Sequence, residues 1–282
     1  MMRPPQLELL LVPQWQGADA QPLRDGAKAL ARRLALPFLE LPVDSGGARG
    51  PELGILHRRN LKQNLATVRE RLAVSGARRV LTVGGDCSVE LGPVSWLRTV
   101  WGEPLHLVWL DAHADLNTPS TSPTGCLHGM PLRHLLGEGD AELLSILGPS
   151  CESDRVHLVG ARALDPAELE FIETARLKHH ATACRTAMEG RQLAMELLPA
   201  ATPTYVHLDL DVLDPAEFAG VCCPEPGGWT PAAVAGFCAG AAERAEVVGV
   251  GLMEHLERPG PGLDHIGALL TEVQGLVRRW KA

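Results

Sequence analysis

Six short apolar runs, Leu7 to Val12, Arg79 to Val83, Leu105 to Leu110, Val156 to Val159, Tyr205 to Leu210 and Val247 to Leu252, alternate along the chain with stretches of helical spacing. That alternation admits few folds. Each run is short and ends in polar residues or Gly, as buried strands do. The stretches between them, Asp25 to Leu34, Leu61 to Val74, Val89 to Val100, Pro166 to Arg176, Ala187 to Leu198, Pro231 to Ala245 and Asp264 to Trp280, repeat apolar residues at the helical period. Strands alternating with helices predict a parallel sheet covered on both faces. Ligands in such sheets bind outside the carboxyl ends of the strands. Ala48 to Gly54 and Asn117 to Gly129 concentrate Gly, Pro, Ser and Thr and read as loops. No break looks like a linker, so one domain over 1–282 is expected.

Composition narrows the partners. At 282 residues and 45% hydrophobic content the chain can bury a large core. A net charge of -8 with interspersed basic residues argues against nucleic acid, which needs a concentrated basic face. No apolar run approaches the length of a membrane span. The start, Met1 to Pro5, is not bounded like a signal sequence, and seven cysteines lack regular spacing, so a cytoplasmic protein with reduced thiols is expected.

The run ending at Leu110 leads into Asp111-Ala112-His113-Ala114-Asp115, two carboxylates and an imidazole at alternating positions. Residues at i, i+2 and i+4 of an extended segment project to one side, so these three are expected to meet one ion or straddle a pair. His207-Leu208-Asp209-Leu210-Asp211 repeats the idea further along. Five oxygen and nitrogen donors from two such segments suit a divalent ion such as Mn2+. A lone Asp-x-His triplet at a strand end needs no ligand, because its polar groups can meet solvent. Two clusters shift the balance: Asp209 and Asp211 flank Leu210 in an apolar run, and buried carboxylates without a cation or hydrogen bonds are expensive. A glycosidase acid and base would use two carboxylates and leave His113 and the second cluster unexplained. A third element, Val83-Gly84-Gly85-Asp86-Cys87-Ser88, ends a strand in a tight turn before a helix. Such a junction can cradle phosphate, although Asp86 would repel it. On composition alone Cys87 reads as a small buried residue.

Together these motifs resemble the ureohydrolase family, binuclear manganese enzymes that include arginases and agmatinases. Gly-Gly-Asp-Cys-Ser at 84–88, Asp-Ala-His-Ala-Asp at 111–115 and Asp-Leu-Asp-Val-Leu-Asp-Pro at 209–215 stand in the family's order and spacing, and the likeness runs from about 80 to 260. It implies a three-layer α/β/α fold with a mainly parallel sheet of about eight strands. It further implies two Mn2+ ions, one held by Asp111, Asp115, Asp209 and residue 87, the other by Asp111, His113, Asp209 and Asp211. The implied partner is a small guanidino amino acid, attacked at its guanidinium carbon by water whose pKa the ions lower. His128, in Gly125-Cys126-Leu127-His128-Gly129, matches a proton-shuttling histidine, and Glu254 matches the acid that pairs with the guanidinium. With Asp115 these complete the implied catalytic set. Taken alone, His128 would read as a loop histidine on the surface. Asn117 and Thr124 match positions that hold the substrate α-carboxylate in arginases, and Asp165 one that holds the α-amino group. Asp165-Pro166 is also an ordinary helix start. Members of the family are often trimers or hexamers, and a homo-oligomer is compatible with these residues without being fixed by them.

Three cysteines depart from the family pattern. Position 87 is normally histidine, Cys126 stands where arginases carry an asparagine that contacts the α-carboxylate, and Cys223 stands near a substrate-side threonine. Thiolate is softer than imidazole, matches Mn2+ poorly and must lose a proton to coordinate well. The aspartates and His113 all remain, so the departures read as retuning. Cysteine at 87 resembles a branch of the family that hydrolyses N-omega-hydroxy-L-arginine to L-ornithine and hydroxyurea in D-cycloserine biosynthesis. A plain arginase, another guanidino-acid hydrolase and a metal-free binding subunit are the alternatives.

Overall fold

The computed structural model describes residues 6–46 and 50–281. Eight parallel strands form one sheet: β1 (Leu7–Val12), β2 (Leu39–Glu40), β3 (Arg79–Gly84), β4 (His106–Leu110), β5 (Val156–Val159), β6 (Lys178–His180), β7 (Pro203–Asp209) and β8 (Glu246–Met253). Their order is β2-β1-β3-β8-β7-β4-β5-β6. Helices α1 (Pro22–Leu34), α2 (Arg58–Ser75), α3 (Leu91–Trp101), α4 (Pro131–Leu135), α5 (Ala141–Leu147), α6 (Pro166–Thr174), α7 (Ala187–Leu197), α8 (Pro231–Arg244) and α9 (Gly267–Lys281) connect and cover them.

Strand alternation divides the core in two. Leu9, Leu11, Val108, Leu110, Val206 and Leu208 pack on one face with residues of α1, α8 and α9. Leu10, Val12, Leu107, Trp109 and Tyr205 pack on the other with residues of α2 and α3. Each fully buried Leu contributes roughly 2 kcal/mol, so both layers are held by the same apolar runs that mark the strands. The result is the three-layer α/β/α arrangement with a parallel sheet.

All six expected strands are present, with ends moved by one or two residues at most. The two edge strands, β2 and β6, escape the sequence because they have only two and three residues and no apolar run. Backbone pairing to β1 and β5 creates them. The expected helix from Val89 begins instead at Leu91, after a 3-10 turn over Cys87–Glu90, with Pro93 in its first turn where no backbone N–H is needed. Short α4 and α5 were not anticipated; Asp140 caps α5 by accepting from the N–H groups of Glu142 and Leu143. Met1 to Pro5, Ala48 and Arg49 of the expected 48–54 loop, and Ala282 lie outside the described residues. Among the described residues no helix is long and apolar enough to cross a membrane.

Candidate metal centre

The four central strands, β3, β8, β7 and β4, bring their carboxyl ends to one rim. Cys87 follows β3, Glu254 follows β8, Asp209 closes β7, and Asp111 follows β4. Pairing of Leu110 with Leu208 sets Asp111 beside Asp209. The expected convergence of 111, 113 and 115 on one side of an extended segment is corrected here. The chain leaves the strand after Leu110 and bends, and Asp115 takes a left-handed backbone with φ 54°. Asp211 sits in a 3-10 turn over Leu210–Val212. Side-chain to backbone bonds make these turns: Asp111 Oδ1 accepts from the His113 N–H (2.6 Å), Asp209 Oδ1 from the Asp211 N–H (2.7 Å), and Asp211 Oδ1 from the Ala112 N–H (3.0 Å).

The clusters meet in space. His113 Nδ1 lies 2.9 Å from Asp211 Oδ2 and 3.6 Å from Asp111 Oδ1. Cys87 Sγ donates to Asp209 Oδ2 (2.9 Å), and the Cys87 N–H donates to Glu254 Oε1 (3.1 Å). Three donor groups form, each with its atoms within 4.8 Å of one another: Cys87, Asp111, Asp115 and His207; Asp111, His113 and Asp211; and Cys87, Asp209 and Glu254. Asp111 belongs to two of them. Asp209 groups with Cys87 and Glu254, whereas the resemblance implied it on both ions.

Charge is concentrated where water is excluded. Asp111, Asp115, Asp209 and Asp211 are each at most 4% exposed. Burial, then the neighbouring Asp111 charge, pushes the Asp115 carboxyl well above the usual range; burial, then Asp211 and Asp111, does the same to Asp209. Asp211 rises to about 6 through burial and Asp111. For Asp111 burial also pushes upward, but hydrogen bonds with His113 and His207 outweigh it and hold the carboxyl well below that range. Burial, followed by the surrounding carboxylates beginning with Asp209, drives the Cys87 thiol far up.

These residues fit a pair of divalent cations. Asp115 Oδ2 is buried with no hydrogen-bond partner, and the strained ionisation of Asp115 and Asp209 is what an added cation relieves. The donor set is mostly oxygen with imidazole, as Mn2+ requires, apart from the sulfur at 87.

A cleft of about 450 Å³ opens over the cluster. Cys87, His113, Asp115, Asp209 and Asp211 line its floor, and Asn117, Thr124, His128, Asp165, Cys223 and Glu254 also line it. Cys126 is buried but is not among the lining residues; its backbone N–H donates to Thr124 Oγ1 (3.1 Å). Asp165 precedes α6, where Glu168 accepts from its N–H (2.9 Å), and its Oδ2 accepts from Asn117 Nδ2 (2.8 Å). Both sequence readings of Asp165, helix start and cleft residue, therefore coexist. His128 Nδ1 is 3.1 Å from Glu254 Oε1. Burial lowers the imidazole pKa, but the Glu254 charge and hydrogen bond outweigh it and raise it to about 9. Glu254 holds φ at 64°, a left-handed conformation that costs a non-Gly residue roughly 1–3 kcal/mol and is fixed by its N–H on the Gly85 carbonyl (2.8 Å). Its Oε2 is buried without a partner.

Two residues of the centre were not singled out from the sequence. His207, completely buried, reaches the cluster from β7, and Glu90 lies behind it with Oε1 3.1 Å from His207 Nδ1. Burial opposes protonation of His207, but hydrogen bonds with Asp111 and Glu90 outweigh it and raise its pKa to about 9. The signal for His207 was the alternation 207, 209, 211 itself; Glu90 carried none.

A model described as the arginase family matches residues 36–259. Arginase of Bacillus caldovelox is 38% identical over 196 residues, covering 64% of this chain and 63% of that protein, so the match spans less than two thirds of that relative. The arginase of Entamoeba histolytica, solved in complex with L-ornithine, shares the fold with a TM-score of 0.80 at 20% identity over 98% of both chains. The solved structure of the B. caldovelox arginase gives a TM-score of 0.72 at 25% identity, again over 98% of both chains. With its central strands, its ordered acidic motifs and a family match across most of its length, this chain belongs to the arginase family.

Proposed function

We propose that this protein is a hydrolase that cleaves the guanidino group of a small amino acid, using two divalent ions, and that its substrate is N-omega-hydroxy-L-arginine, which yields L-ornithine and hydroxyurea. The observation that carries the reading is the cleft floor: a cluster of buried aspartates beside Glu254, with Asp115 Oδ2 and Glu254 Oε2 lacking partners. An anionic floor of this kind calls for metal ions beneath and a cationic group above. The cleft volume suits a small ligand. The family membership and the relatives named arginase support the reaction class.

Asp111, Asp115, Asp209 and Cys87 would hold one ion, and Asp111, His113, Asp209 and Asp211 the other. Two Mn2+ ions held there would supply Lewis acidity and would lower the pKa of water toward neutrality. Glu254 Oε2 accepts a guanidino N–H and turns the guanidino carbon toward the floor. His128, protonated at neutral pH through Glu254, holds a proton for the amine that departs when the carbon–nitrogen bond to the ornithine side breaks. Asn117 and Thr124 bind the α-carboxylate, and Asp165 the α-amino group; Cys223 completes this side, while Cys126, which does not line the cleft, supports Thr124 from behind through its backbone N–H. One domain carries the whole site, in a cytoplasmic setting that keeps all seven cysteines free.

Cys87 supports hydroxyarginine over arginine. A hydroxyguanidine is less basic than a guanidine and brings an extra oxygen toward the floor, so it can react at a site that a thiol has weakened for Mn2+. The test compares kcat/KM for hydroxyarginine and arginine with bound manganese quantified. A ratio of about tenfold or more in favour of hydroxyarginine is expected, some 1.4 kcal/mol of differential transition-state binding; an equal or reversed ratio contradicts the substrate assignment. A second expected outcome concerns the thiol directly. Cys87→His restores an imidazole, and Mn2+ affinity and activity on arginine both rise, by about tenfold, in metal titration and urea release.

A further inference from the structure

His207 is held as a ligand is held. Its ring stacks on Trp109, centroids 3.6 Å apart and planes at 23°, and Nδ1 lies 3.1 Å from Glu90 Oε1. Glu90 is itself fixed: Tyr205 donates its hydroxyl to Oε2 (2.5 Å), and only a glycine at 251 leaves room, because a Cβ there would fall 1.5 Å from Glu90 Oε1. A carboxylate can only accept from Nδ1, so Nδ1 keeps its hydrogen, and the opposite nitrogen, Nε2, is the one that gives up its proton to an incoming cation and offers it a lone pair. Nε2 points at Cys87 Sγ (3.8 Å) and Asp111 Oδ2 (3.4 Å), and the three share a group with Asp115, whose Oδ2 is buried and unpartnered. Four ligands around a tetrahedral ion with bonds of roughly 2.0–2.3 Å stand about 3.3–3.8 Å apart. The two separations from Nε2 match those edges.

We propose that His207 ligates a metal through Nε2, and that with Cys87, Asp111 and Asp115 it forms a site of one sulfur, one nitrogen and two oxygens that takes Zn2+ in preference to Mn2+. The reading rests on the paired-metal centre above and changes its composition. Thiolate with imidazole selects Zn2+ strongly, whereas the oxygen-rich group of Asp111, His113 and Asp211 favours it by less and is filled by Mn2+ when Mn2+ is in large excess. Glu90 is a positioning residue that fixes the tautomer and aims the ring.

The test offers metal-free protein one equivalent of Zn2+ with Mn2+ in large excess, counts each ion, and records zinc-edge X-ray absorption. One Zn2+ and one Mn2+ per chain are expected, with sulfur and imidazole scattering on the same zinc. That pairing is diagnostic, because His113 lies in the other group, away from Cys87. His207→Gln, with its fold checked by circular dichroism, should lose the imidazole shell and at least about tenfold in zinc affinity while keeping Mn2+. The wild-type spectrum decides the question if the variant fails to fold. Zinc bound to sulfur without imidazole, two ions of one kind, or unchanged affinity in His207→Gln overturns this proposal and leaves the paired-metal reading standing. A wild-type chain that takes up neither ion overturns both.

Discussion

Asp111→Asn should reduce bound metal from two ions to one at most, and lower kcat/KM on the guanidino substrate by roughly 10³-fold, about 4 kcal/mol. Asp111 is shared by the group that holds Cys87 and Asp115 and the group that holds His113 and Asp211, so its loss disturbs both. Its carboxylate also accepts from Trp109 Nε1 (3.1 Å) and from the His113 N–H (2.6 Å), bonds that an amide oxygen can keep in part. The metal-free variant is therefore expected to fold. Removing the Asp111 charge also lowers the pKa of Asp115, Asp209 and Asp211, because each is pushed upward by it. Metal analysis alongside kinetics checks the claim: full loading with lost activity would make Asp111 something other than a shared ligand.

Glu254→Gln should have the next largest effect. A charge-assisted bond to the substrate cation contributes about 3 kcal/mol, so kcat/KM should fall roughly 10²-fold. The same change acts on His128. Glu254 is what outweighs burial there, so the variant imidazole should titrate below its ordinary 6.5 instead of at about 9. Histidine NMR on metal-free protein reads this directly. The sign for stability follows from the raised folded pKa. The His128 contribution is fully present below about 6.5 and is lost as pH rises through about 9. In Glu254→Gln that decline between the two values should disappear. A His128 titration unchanged by the substitution would mean that the 3.1 Å pair is not what holds its proton.

The sheet was legible because β1, β3, β4, β5, β7 and β8 are apolar on both faces, and a strand buried on both sides announces itself as a continuous run. The edges were not, since β2 and β6 exist only through pairing to a neighbour. At the site, the aspartates and His113 were readable from spacing, but the reason they converge was not. Alternation along a strand predicted it, whereas turns made by Asp111, Asp209 and Asp211, and the left-handed Asp115, produce it. His207 stood in plain view within the second cluster, yet its importance depends on Glu90, Tyr205 and Gly251, which three different elements bring together. No local pattern encodes such a contact.

The most direct test is a metal titration of the stripped enzyme with Mn2+ as the only added ion, following L-ornithine release from N-omega-hydroxy-L-arginine at each equivalent. The account predicts no release without metal, little with one ion per chain and full activity as the second ion binds. Full activity in the metal-free protein, or none with two ions bound, would contradict it.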